Sequence, residues 1–91
     1  MRAADRLLLA EKRRGAIPKR RAELLQAVAD VARIRENARI LGGIHAKQVD
    51  VMARRVVELE TRITELRSRI AELISEADGF VDGARRELRK L

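Results

Sequence analysis

The stretch VDVMARRVVELETRITELRSRIAEL, residues 49–73, decides the fold. Its apolar residues Val49, Met52, Val56, Leu59, Ile63, Leu66, Ile70 and Leu73 recur at alternating steps of three and four. That spacing sets all eight on one narrow stripe of an α-helix, the seam of a coiled coil. A bare seam exposes too much apolar surface for a lone helix in water, so it must meet another helix. The rhythm continues more weakly through Ala77, Phe80 and Ala84. No segment of useful length alternates with period two, so the class is all-α.

Glycine and proline punctuate the rest. The second arm is expected over residues 44–78, beginning near Ile44 or His45 and stopped by Gly79. Residues 79–91 form a helical extension beyond that break, weakened by Gly83. The first arm is expected over residues 18–41, with Pro18 in its first turn, where a missing N–H costs least. Its seam reads Leu24, Val28, Val31, Ile34, Ala38 and Leu41. A separate short helix over residues 2–14 precedes the Gly15-Ala16-Ile17-Pro18 interruption.

Gly42 and Gly43 lie near the middle of the chain and act as the hinge, giving a single-domain antiparallel helical hairpin. Pairing the arms about that hinge makes neighbours of positions whose numbers add to about 86, opposing Arg14 to Glu72, Arg21 to Glu65 and Arg35 to Asp50. A parallel two-stranded coil competes, because β-branched residues at one seam position and leucine at the other suit it. That arrangement sets Arg62 against Arg67 and leaves the first arm unexplained. The hairpin is therefore preferred, self-associating into a helical bundle, with a dimer favoured, through leftover apolar positions such as Val57 and Ile74.

The formal charge of +7 is unevenly placed. Residues 1–21 hold eight basic and two acidic groups, and residues 79–91 hold four and two, whereas the middle is balanced. Folding at the hinge brings Lys12, Arg13, Arg14, Lys19, Arg20 and Arg21 to the same half as Arg85, Arg86, Arg89 and Lys90. That basic half is the expected docking surface for an anionic partner.

Catalytic chemistry finds no foothold. Cysteine is absent and His45 is the only histidine, which reads as a surface residue at a helix start. The run Gly42-Gly43-Ile44-His45-Ala46-Lys47 lacks the glycine spacing, the Ser/Thr and the preceding strand of a phosphate-cradling loop. Glu58, Glu65 and Glu72 repeat every seven residues, and Glu58 and Glu65 lie four before Arg62 and Arg69, which stabilises a helix surface. No cofactor or metal is expected. No apolar run approaches the roughly 20 residues of a membrane span.

The expected function is thus non-catalytic: a coiled-coil assembly, adaptor or structural protein whose basic end docks an acidic protein. The alternative is sequence-nonspecific nucleic-acid binding by the same end. A single aromatic residue, Phe80, offers no stacking platform, and Gly15 and Pro18 interrupt any continuous basic helix. The arginine and alanine content suits a bacterial or phage genome, hence a cytoplasmic or virion-associated protein.

Overall fold

The computed structural model describes residues 2–41 and 46–90. It is an all-α helical hairpin of two helices, α1 (Ala3–Leu41) and α2 (Ala46–Arg89), packed antiparallel. The expected hinge at Gly42 and Gly43 lies outside the described residues, as do Ile44, His45 and the side chain of Leu41.

Leu59, Leu66 and Leu73 are buried, while Val49, Met52, Val56, Ile63 and Ile70 are half-buried. The stripe runs on through Ala77, Phe80, Ala84 and Glu87 without losing its step. In heptad letters, Val49 and every seventh residue after it occupy a, and Met52 and its successors occupy d.

Three expectations about the helices are corrected. There is no separate helix over 2–14: α1 passes through Gly15 and Pro18 without a break. Both residues are exposed, and the space beside Gly15 is open. The Arg14 carbonyl that Pro18 cannot bond therefore faces water, and packing of Ala10 and Ile17 on the other side holds the helix together. Likewise Gly79 does not stop the second arm; it too is exposed with open space beside it, and α2 continues to Arg89.

The third correction concerns Val28, which is 42% exposed while Ala27 is buried in its stead. The covered residues of α1 run Ala3, Arg6, Ala10, Arg13, Ile17, Arg20, Leu24, Ala27, Val31, Ile34 and Ala38, always at steps of three and four. Val28 breaks that rhythm with two successive steps of three, so it falls beside the seam.

Contacts divide the chain into two compact units. Unit 2, Ala22–Arg67, has an apolar core of Ala27, Val31 and Leu59, on which Ile34, Val56 and Ile63 pack. Arg35 donates to Glu60 across its helices, and Arg62 reaches Glu23 at 3.1 Å. Unit 1, Met1–Arg21 with Ser68–Leu91, has a thinner core of Ala10, Ile17, Leu73, Ala77 and Ala84. Its cross-helix ion pairs join Arg6 to Glu87, Arg13 to Glu76 and Arg14 to Asp78.

Four of these five pairs join positions whose numbers add to more than the expected 86, between 89 and 95, whereas Arg62 and Glu23 add to 85. Arg14 meets Asp78 in place of Glu72, and Arg35 meets Glu60 in place of Asp50. Glu72 and Glu65 are taken up on their own helix by Arg69 and Arg62. Ion pairs flank the seam on both sides and long side chains lean along the helix, so the partners are diagonal ones.

Candidate docking surface

The ten basic residues expected to form a docking end all belong to unit 1. This unit holds thirteen basic and seven acidic residues, against eight and seven in unit 2. The excess charge of the chain therefore sits almost wholly on one unit.

How the residues are presented follows from a repeat of seven. Lys12-Arg13-Arg14 and Lys19-Arg20-Arg21 are the same triplet one heptad apart. In each, the central arginine falls at d and enters the seam, while its neighbours point out to either side. Arg6, a heptad earlier, occupies the same seam position. Arginine thus stands at three successive places where a coiled coil ordinarily carries leucine or isoleucine.

Arg6 and Arg13 each reach a carboxylate of the other helix. Arg13 donates from Nε to Glu76 Oε2 at 2.6 Å, and its guanidinium lies 6.0 Å from the centre of the Phe80 ring. Glu76 also accepts from Arg69 at 3.5 Å, and Arg69 reaches Glu72 at 3.2 Å. The four residues form a charged network along one flank, capped by the aromatic face. Arg6 lies across Gly83, where a Cβ would strike its guanidinium. Its Nε and Glu87 Oε2 are buried, face each other at 4.0 Å and have no hydrogen-bond partner. A Cβ at Gly83 would push the flexible end of the Arg6 side chain aside.

The exposed cations are placed differently. Lys12, Lys19, Arg21, Arg85, Arg86, Arg89 and Lys90 are exposed, and none forms an ion pair with a carboxylate among the described residues. Arg14 is also exposed and holds Asp78 loosely at 3.8 Å. Arg86, Arg89 and Lys90 line an open groove with Arg6, Gly83 and Glu87. Of the ten, Arg13 and Arg20 are therefore structural as well as basic, and Arg20 is half-buried with an interaction of its own.

In unit 2, Arg39 donates twice to Glu36 on its own helix, at 2.7 and 3.1 Å. That contact holds the Glu36 carboxyl below its ordinary range and raises Arg39. It ties the last turns of α1 together.

The spacing of the two triplets was a signal for the seam arginines, but a hydrophobic pattern alone passes over it. Among the described residues no cluster of His, Cys, Asp and Glu is arranged to hold a metal ion. No described helix is long and apolar enough to cross a membrane. Comparison with protein-family models, curated proteins and solved structures gives no match.

Proposed function

We propose that the protein is a non-catalytic coiled-coil assembly or adaptor protein that self-associates and captures an acidic protein partner on unit 1. The observation that carries this reading is the set of exposed cations on unit 1 left without carboxylate partners among the described residues, in a chain whose unit 2 is nearly charge-balanced. Exposed charges steer encounter and set specificity, and like charges gathered on one surface favour a partner of opposite sign. Phe80, the single aromatic residue, is engaged by Arg13, so a base has no free ring on which to stack. That favours an acidic protein over a single-stranded nucleic acid.

The test is fluorescence anisotropy with two labelled probes, a poly-glutamate peptide and duplex DNA, between about 50 and 200 mM salt. The proposal expects the acidic peptide to bind, and binding to vanish when Lys12, Lys19 and Arg21 are changed together to glutamate. Reversing Lys47 and Arg54 on unit 2 should leave it intact. No binding of either probe at the low-salt end overturns the docking reading. DNA binding much tighter than the peptide, with a steep salt dependence, replaces the acidic protein by nucleic acid.

A further inference from the structure

The open groove beside Arg6 is lined by Arg6, Gly83, Arg86, Glu87, Arg89 and Lys90. Its form follows from the sequence. Gly83, Arg86, Glu87 and Lys90 stand at spacings that share one side of a helix, and Arg89 lies about one turn beyond Arg86. The first of these has no side chain, so the row opens into a hollow at Gly83. The guanidinium of Arg6, brought in by α1, lies against that glycine. Longer side chains of α2 wall the rest.

The chemistry of the lining is one-sided. Four cations and one carboxylate leave an excess of three positive charges. Glu87 does not satisfy them: its Oε2 stands 4.0 Å from Arg6 Nε, and both atoms are enclosed without a hydrogen bond. Arg86, Arg89 and Lys90 have no ion pair among the described residues. The helix ends here, and its last carbonyls form a weakly negative pole, so attraction for an anion comes from the side chains alone.

We infer that this groove binds a doubly charged phosphate group, free or terminal on a monoester. Charge and donor geometry select it over a carboxylate. A carboxylate brings one charge and two oxygens, whereas a phosphate monoester brings nearly two charges and three acceptor oxygens. The forks of several guanidinium groups and one ammonium can share three oxygens, but two oxygens leave donors unmatched. The donors come from both helices around a recess, which separates them from the cations that project from the outside of α1. The lining holds no apolar or aromatic side chain, so the site reads the phosphate and leaves the group that bears it in water.

This site goes beyond the acidic-partner reading and is tested without any peptide. The backbone amide signals of the isotopically labelled full chain are followed by NMR at constant ionic strength and about pH 8, where a monoester is doubly charged. Inorganic phosphate and glycerol phosphate are the two arms, each added up to about 10 mM, enough to fill a millimolar site. Both should shift the Gly83 and Lys90 amides to saturation, and the tighter of the two names the source of the phosphate. Acetate and dimethyl phosphate, each with a single charge, should bind at least about tenfold more weakly, the worth of one charged hydrogen bond. Arg86→Gln with Arg89→Gln should abolish saturation. Lys47→Gln with Arg54→Gln, the same loss of charge at exposed positions of unit 2, should leave it unchanged. Gly83→Leu keeps every charge but fills the hollow, and should weaken binding by a similar factor while circular dichroism stays helical. No saturable shift overturns the inference. So does equal weakening by the two glutamine pairs, which would mark diffuse charge, or full binding by Gly83→Leu, which would leave the recess without a role. Failure of the poly-glutamate experiment leaves this groove standing, because phosphate occupancy is read separately.

Discussion

Leu73→Ala tests the packing of unit 1 most directly. Leu73 is 2% exposed and is the largest side chain so fully enclosed. The change removes three carbons, and at about 0.8 kcal/mol per buried methylene the transfer loss alone is about 2.4 kcal/mol. The other apolar residues buried in the unit are Ala10, Ile17, Ala77 and Ala84, three of them alanines too small to fill the space left behind. A cavity contribution therefore adds to the transfer loss, giving about 3 kcal/mol, near the low end for buried leucines because a two-helix layer can partly close. With a urea slope of about 1–1.5 kcal/mol/M for a chain this short, the midpoint should fall by about 2–3 M. The assay is urea unfolding followed by circular dichroism at fixed protein concentration, since self-association makes stability depend on it. Leu8→Ala is the control. Leu8 is 63% exposed, so its midpoint should move by less than about 0.5 M. Equal shifts for the two variants would refute the assignment of Leu73 to the core.

Three further outcomes are expected. Gly15→Ala and Gly79→Ala should each raise stability by about 1 kcal/mol, and Pro18→Ala by up to about 3 kcal/mol, because these helix-interior positions face open solvent. Gly83→Ala should lose that gain or reverse it by displacing Arg6, and thermal melts of the four variants separate the two signs. A double-mutant cycle on Arg13 and Glu76 should give a coupling of about 1 kcal/mol, reduced by salt because both heads are about one-third exposed. A coupling near zero would leave the short contact without energetic weight. Arg39 holds the Glu36 carboxyl below its ordinary value near 4.5. Its support of α1 is therefore present above that pH and fades as the solution is acidified through the lowered value. Glu36→Gln should remove this part of the acid-induced loss of helicity, and an unchanged pH profile would count against it.

The second helix was plain in the chain because its buried positions carry branched apolar residues without exception from Val49 to Leu73, apart from one methionine. The first was legible from Leu24 onward but hidden over residues 3–20, for a physical reason. Its a positions include Ala3 and Ala10, and its d positions include Arg6, Arg13 and Arg20. A search for greasy side chains finds no stripe there, though the helix has one. Gly15, Pro18 and Gly79 misled in the opposite direction. They read as stops because breakers weaken an isolated helix, yet all three fall on the water-facing side, where the seam opposite holds the backbone in place. The unit-1 location of the cations was legible from charge counting and the fold-back together. The burial of Arg13 and Arg20 was not, since only the heptad register separates a guanidinium that packs from one that waits for a ligand.

The arginine-lined edge of α1 also bears on how the molecule is made. This half of the chain leaves the ribosome first, and its inward side offers mostly methyl groups and cations from Ala3 to Arg20. That inward edge is therefore poorly adhesive toward other nascent polypeptides while it waits. The stickier strip from Val49 to Leu73 emerges only when an antiparallel mate is already available within the same molecule, so premature clumping has little to act on.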